Sequence, residues 1–247
     1  MKRAACACAA AAALGASLAF AQAGPPLLTD DPGTPGDGHW EVNFAWTSER
    51  TPGAHVDERP LVDVNYGIGE RVQLKLEMPW LATGGNTRGG DGFGEALAGV
   101  KWRFYDAGER GWQLSTYPQV GFLMPGLHHS RLDDRGTSWL LPLEIRRDFG
   151  AVEAGAEVGR TFRSGAAGGG WIAGVAVGHA FGEAFELLAE LHDESIDGVG
   201  HELAANIGAR RMLSAHFVLL ASVGRDLENG IERRNTLLAY LGLQLLR

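Results

Sequence analysis

Much of the chain alternates apolar and polar side chains with a period of two. Clear examples are the segments Trp40–Thr47, Val72–Met78, Ala98–Phe104 and Phe185–His192. This period places successive side chains on opposite faces of a β-strand, so one face meets an apolar medium and the other meets water. The pattern predicts about twelve strands. They lie near residues 40–47, 58–67, 71–80, 96–105, 111–123, 138–149, 151–162, 171–181, 185–192, 202–211, 216–225 and 235–245.

The connections between these strands alternate in length. The short ones are Gly67–Arg71, Asp106–Arg110, Phe149–Ala151, Gly182–Ala184 and Met212–Ala215, and the long ones are Ser48–Asp57, Leu81–Glu95, Pro125–Thr137, Arg163–Gly170, Asp193–His201 and Asp226–Arg234. Outer-membrane barrels have this asymmetry, with short periplasmic turns and longer outer loops. Unpaired backbone groups are costly in hydrocarbon, so a sheet in lipid must close on itself. We therefore predict an all-β fold, a transmembrane up-and-down antiparallel β-barrel of about twelve strands.

Aromatic residues lie near both ends of the predicted strands. One set comprises Trp46, Trp80, Phe122, Trp139, Phe162 and Trp171, and the other comprises Trp40, Phe104, Trp112, Phe149, Phe181, Phe185 and Phe217. Two such belts match aromatic rings seated at the two interfaces of a membrane. The alternative is a soluble β-sandwich, in which large aromatic side chains would cluster at mid-strand.

The first residues have the order of a secretory signal peptide. Lys2 and Arg3 precede the small, apolar run Ala4–Ala21, and Ala21–Ala23 offers small residues at both recognition positions for cleavage. An uncleaved membrane anchor is the alternative, although a run made mostly of alanine has little drive to stay in lipid. We predict three parts. They are a signal peptide (1–23), an N-terminal periplasmic segment or plug (24–38) and an outer-membrane β-barrel (39–247).

Composition narrows the function classes. Of the 247 residues, 45% are hydrophobic, which excludes a disordered chain, and 30 acidic residues outnumber 22 Lys and Arg, for a formal net charge of -8. This balance argues against nucleic acid as a partner, because neutralising phosphates needs clustered basic residues. The mean hydropathy of -0.08 argues against a bundle of transmembrane helices, whereas barrel strands average out polar and apolar positions.

The segment Leu27–Thr34, followed by Gly38–Asn43, resembles the opening of the outer-membrane proteins associated with meta-pathway phenol degradation. A looser likeness runs over the strand pattern and the stretch from Tyr66 to Pro79. The resemblance implies an outer-membrane channel for small, often aromatic, compounds. A barrel in that location implies outer-membrane lipid, lipopolysaccharide, the barrel-assembly machinery and a small-molecule solute as partners. One departure is Arg247 at the end, where such barrels usually finish on an aromatic residue.

The polar faces of the strands supply the predicted lumen. The candidates for a solute path are Glu41, Asn43, Asp63, Asn65, Lys75, Glu77, Lys101, Arg103, Tyr117, Glu144, Arg146, Glu153, Glu157, Glu186, Glu190, Glu202 and Arg210. Twelve strands leave a narrow passage. Basic residues concentrate on the third and fourth predicted strands and most glutamates on the seventh to tenth, which predicts a transverse electric field. The alternative is that these charges brace a closed lumen through salt bridges.

The segment 24–38 is rich in Pro, Gly and Asp and precedes the first strand. We predict that it folds into the barrel mouth as a small plug, with Asp30, Asp31 and Pro32 as the candidate residues. The alternative is an N-terminal tail in which these three residues form a turn.

Other motifs give weaker hypotheses. His128 and His129 with Asp133 and Asp134 lack the spacing of a rigid metal site. The pair His128 and Ser130 resembles the His-x-Ser pairs of outer-membrane lipases and deacylases, yet it falls in a predicted loop. We therefore predict neither an enzyme nor a cofactor, and a lipid hydrolase is the less favoured alternative. A structural or closed barrel that acts through its loops is the other alternative to a channel.

Overall fold

The structure is a computed structural model that describes residues 24–85, 90–108, 110–123, 137–164, 168–231 and 234–247. Within these ranges the regular structure consists of fourteen β-strands. They are β1 (Trp40–Thr51), β2 (Ala54–Ile68), β3 (Val72–Gly85), β4 (Gly90–Phe93), β5 (Ala96–Asp106), β6 (Trp112–Thr116), β7 (Gln119–Phe122), β8 (Ser138–Asp148), β9 (Val152–Arg163), β10 (Gly169–Ala180), β11 (Phe185–Ile196), β12 (Gly200–Met212), β13 (Phe217–Asn229) and β14 (Leu237–Leu246).

Twelve of these strands form a closed antiparallel barrel, which confirms the predicted fold class. Each of the twelve pairs with the one before it and the one after it in the ring. The ring is closed by β1 and β14, which pair from Glu41 opposite Leu246 to Arg50 opposite Leu237. The two short strands β4 and β7 are not among the twelve strands of the ring. Strand β4 pairs with β3, and β7 pairs with β5 and β8. The connection between β6 and β7 holds Pro118, which has no N–H group to donate to a ladder.

Side chains on the two faces of the wall have opposite polarity. Val175 and Ile207 on the outer face are 54% and 66% exposed, whereas Asn43 and Glu144 on the inner face are 1% and 0% exposed. A protein folded in water shows the reverse, because its apolar side chains gain most from burial. The barrel therefore presents an apolar outer surface and encloses a polar interior.

Exposed aromatic side chains lie near both ends of the wall. Trp40 and Phe149 are exposed at the end where β1 begins and β14 ends, which we call the termini end. Trp139, Phe162 and Trp171 are exposed toward the opposite end, which we call the loop end. This is the placement that the sequence predicts for two interfacial belts.

The strands reach further toward the loop end than the alternation of side chains predicts. Only Pro52 and Gly53 join β1 to β2, and Gly53 has a positive φ of 88° that suits glycine in a tight turn. Likewise, β11 and β12 are separated by Asp197–Val199 alone. Backbone pairing continues past the apolar band here, so much of the predicted loops Ser48–Asp57 and Asp193–His201 is strand.

Within the described ranges, no helix has the length and apolar character needed to cross a membrane. The predicted signal peptide, residues 1–23, lies outside the described residues and stays a prediction.

The outer face supplies a test of the lipid-facing surface. Val175 lies at the middle of β10 with its side chain pointing outward. We expect Val175→Arg to lower the free energy of unfolding in lipid vesicles by about 2–4 kcal/mol, because a charge would be placed in hydrocarbon. The control Val175→Leu should leave stability nearly unchanged. A loss below about 0.5 kcal/mol for the arginine variant, as at an ordinary water-facing site, would contradict the membrane-spanning wall.

Candidate channel lumen

All seventeen predicted lumen residues lie on the inner wall. Most are buried, including Glu41, Asp63, Lys101, Tyr117 and Glu144. The others are half-buried. The strand phase predicted from the sequence therefore places these side chains inside the barrel, and their role in a solute path stays a prediction.

The N-terminal segment 24–38 also lies inside the barrel. Thr29 and Asp31 are each 1% exposed, although they belong to no strand. Residues of this segment contact inner-wall side chains from β5, β8, β9 and β11, and also from β13, which lies far round the ring from β5. The segment therefore crosses the lumen.

The carboxylates of this segment face the basic wall. The Lys101 ammonium lies 2.8 Å from Asp30 Oδ1 and donates to the Asp31 carbonyl oxygen at 2.5 Å. Arg146 Nη1 donates to Asp31 Oδ2 at 2.9 Å. These ion pairs are largely shielded from bulk water, and the attraction between two charges is stronger in such an environment than at an exposed surface. They fix the middle of the segment to β5 and β8.

The backbone N–H groups of the same segment face the acidic wall. Leu28 N donates to Glu190 Oε1 at 2.9 Å, and Thr29 N donates to Glu190 Oε2 at 2.8 Å. Asp30 N donates to Glu157 Oε2 at 2.9 Å. A buried carboxylate is costly unless donors surround it, and here the segment supplies them. The segment thus complements both walls, with side chains toward the bases and backbone toward the acids.

Both ends of the segment are held by backbone carbonyl contacts. Ser222 Oγ donates to the Pro26 carbonyl oxygen at 2.7 Å, and Thr34 Oγ1 donates to the Glu70 carbonyl oxygen at 3.0 Å. Near the turn after β2, a Cβ on Gly67 would lie 1.8 Å from the carbonyl oxygen of Gly36. Glycine at position 67 therefore allows the segment to approach the wall closely.

Acidic and basic side chains of the inner wall are paired with one another at short range. Arg146 Nη2 lies 2.7 Å from Glu153 Oε2, and Lys75 Nζ lies 2.9 Å from Glu77 Oε2. Arg210 likewise pairs with Glu186 at 3.3 Å. Together with the ion pairs to Asp30 and Asp31, these contacts give most of the inward bases an acidic partner, and the predicted transverse field stays a prediction.

Neutral polar side chains fill the lumen wall near the termini end. Asn43 Nδ2 donates to Asp63 Oδ2 at 3.1 Å, and Gln73 Nε2 donates to Asn65 Oδ1 at 2.7 Å. The fully buried Tyr117 lies over Lys101, with its ring centroid 4.7 Å from the ammonium. These side chains are all buried.

A cavity of about 430 Å³ lies between the segment and the loop end. Its wall includes the apolar residues Leu61, Leu97, Leu140 and Ile172. Only the inward orientation of Leu140 was evident from the sequence, where this residue interrupts the polar face of its strand. Leu61, Leu97 and Leu140 interrupt polar inner faces, whereas Ile172 belongs to β10, whose inner face otherwise consists of glycine and alanine. An apolar residue at a polar position of the alternating pattern is the sequence feature that indicates an apolar patch inside the barrel, as Leu140 does. The lumen therefore combines charged and apolar surface.

The motifs His128, His129, Ser130, Asp133 and Asp134 lie outside the described residues. Among the residues that the structure describes, no group of three or more His, Cys, Asp or Glu side chains is placed to hold a metal ion.

Comparison with known proteins relates the chain to others through its fold. No family model matches the sequence, and no curated protein matches it. Among solved structures, a COG4313 outer-membrane channel from Pseudomonas putida F1 superposes with a TM-score of 0.71 at 12% identity, covering 88% of this chain and 98% of that one.

Two porins superpose less closely. The KdgM porin gives a TM-score of 0.56 at 12% identity, covering 83% of this chain and 98% of that one. The NanC porin gives 0.57 at 9% identity, covering 84% and 98%. At these identities the likeness concerns the fold, and the resemblance to the meta-pathway phenol degradation proteins is not confirmed. The chain has the β-barrel fold of these outer-membrane channels and porins.

Proposed function

We propose that the protein is an outer-membrane channel for small amphipathic solutes, with a lumen narrowed by its own N-terminal segment. The observation that carries this proposal is the division of the barrel wall, apolar outside and polar inside, around a lumen that also holds a cavity of about 430 Å³. A structural element that needed only to be stable would gain more from an apolar core than from buried charges. The fold shared with solved outer-membrane channels and porins supports the same role.

The proposed location is the outer membrane of a Gram-negative bacterium, reached through a signal peptide cleaved near Ala23. In that location the apolar band contacts outer-membrane lipid, and the loop end contacts lipopolysaccharide. Insertion would require the barrel-assembly machinery. We propose no enzymatic activity, and the path through the lumen uses the seventeen inward polar residues described above.

The segment 24–38 acts in this proposal as the element that controls passage. Its contacts in the lumen are ion pairs and hydrogen bonds to wall side chains, such as Asp31 to Arg146 and Thr29 N to Glu190. The strand ladders of the barrel are complete without it. The segment can therefore move without breaking the backbone pairing that holds the barrel together.

A closed barrel that acts through its loops is the second candidate function. The observation in its favour is the dense packing at the centre, where Tyr117, Glu144 and Asp31 are almost fully buried. In this alternative the salt bridges only brace the lumen, and the cavity does not connect to the termini end.

Conductance in a planar bilayer separates the two candidates. We expect a variant lacking residues 24–38 to conduct several-fold more than the full mature chain, because the segment crosses the lumen. The double substitution Asp30→Asn and Asp31→Asn should raise the frequency of opening, since it removes both ion pairs to the basic wall.

The matched control for this measurement is Asp37→Asn. Asp37 belongs to the same segment but accepts only an exposed hydrogen bond from Gly69 N at 2.7 Å. This variant should conduct as the unmodified protein does. If the folded deletion variant shows no opening events, the channel proposal is wrong and the closed barrel is supported.

Uptake by intact cells tests the solute class. With the protein present, we expect faster entry of simple aromatic compounds than in cells that lack it, and little change in the entry of sugars. The apolar side chains Leu61 and Ile172 in the cavity are the reason, because they stabilise an apolar solute body and offer a sugar few hydrogen bonds. Equal gains for both solute classes would indicate a non-selective pore.

A further inference from the structure

The cavity between the N-terminal segment and the loop end, here called the loop-side cavity, has two chemically different walls. Its volume of about 430 Å³ falls in the range of small-molecule binding sites, which extends from about 300 to 1,000 Å³. Strands β1 to β3 contribute one wall, and β8 and β10 lie across the barrel from them. The composition of these walls specifies what kind of solute fits.

One part of the cavity surface is apolar. Leu140 and Ile172 line it from β8 and β10, and Leu61 lines it from β2. Leu28 of the N-terminal segment also lines it and is 54% exposed, although the segment lies inside the barrel. Apolar surface left in contact with water is unfavourable, and an apolar solute body that covers these side chains would remove that cost.

The wall opposite β8 and β10 is acidic. Glu58 and Glu77 line the cavity from β2 and β3, and Lys75 is the lysine that faces it among the described residues. The Lys75 ammonium is shared, because it lies 2.9 Å from Glu77 Oε2 and 3.8 Å from Asp63 Oδ1. Glu58 accepts a hydrogen bond from the neutral Thr47 hydroxyl at 2.9 Å. Carboxylates thus outnumber ammonium groups, so this wall attracts cations.

We propose that the loop-side cavity is a binding site for amphipathic cations, namely primary amines with a small apolar or aromatic body. The ammonium group lies at the wall formed by Glu58 and Glu77, and the apolar body covers Leu28, Leu61 and Ile172. This inference rests on the proposed channel function and adds the charge of the solute. An anion of the same shape is disfavoured, because it would meet the carboxylates without a surplus of basic groups.

Three probes with the same aromatic body and different charge test the proposal. They are phenethylamine, phenethyl alcohol and 3-phenylpropanoate, titrated by calorimetry into the full mature chain in detergent. We expect the amine to bind about tenfold more tightly than the alcohol, as a charge-assisted hydrogen bond allows, and the carboxylate to bind most weakly. The double variant Glu58→Gln and Glu77→Gln should remove most of the preference for the amine while still binding the alcohol.

The control for the charge effect is Glu228→Gln, since Glu228 is an exposed carboxylate near the loop end whose side chain is 67% exposed. It should keep the full preference for the amine. Equal binding of the three probes, tighter binding of the carboxylate, or no binding of any of them would overturn the proposal. Heat-modifiable migration of each variant on a denaturing gel shows whether it is folded.

Bilayer recordings of the variant lacking residues 24–38 keep this inference separate from the proposed function. If that variant opens in the bilayer but the amine shows no preference in calorimetry with the full mature chain, the channel stands and the cationic site is wrong. If the amine binds with the expected preference but the folded variant shows no openings, the site stands and the channel proposal is wrong.

Discussion

The pairing of β1 with β14 is the contact on which the other features of this molecule depend. A sheet surrounded by hydrocarbon cannot leave an edge, because each unpaired N–H or C=O group would cost several kcal/mol. The last strand must therefore meet the first in register, and the ladder from Glu41–Leu246 to Arg50–Leu237 does so. Once the ring is closed, the wall no longer needs an apolar core, so its inner face is free to carry charged side chains.

Charges inside the ring still need partners, and this requirement explains the position of the N-terminal segment. The inner wall places Lys101 and Arg146 on β5 and β8, and Glu157 and Glu190 on β9 and β11. Wall–wall ion pairs such as Arg146 with Glu153 satisfy part of this demand. The segment supplies further partners, because its carboxylates pair with the basic side chains and its backbone N–H groups donate to the glutamates. Its shape follows the charge distribution that surrounds it.

The sequence predicted the strand phase well because a period of two is a local property. Glu41, Asn43 and their counterparts on the other strands could be placed inside without knowledge of their neighbours. The strand ends were harder to predict, because hydrophobic alternation stops where the wall leaves the apolar band, whereas backbone pairing continues to Arg50 opposite His55. The loop-side cavity escaped prediction for another reason. Whether Leu61 faces Ile172 across a lumen depends on the order and closure of the whole ring.

The contacts of the N-terminal segment could not be predicted from local sequence patterns either, because Asp30 and Lys101 are 71 positions apart in the chain. Their pairing has a consequence for the lumen field. With the segment in place, Asp30 and Asp31 neutralise the basic wall and the N–H groups from Leu28 to Asp30 cap the acidic wall. If the segment leaves, as the proposed function requires, both sets of wall residues lose those partners together. Wall–wall ion pairs such as Arg146 with Glu153 stay in place. The charges that become available to a passing solute are therefore those that the segment now covers, above all Lys101 and Glu190.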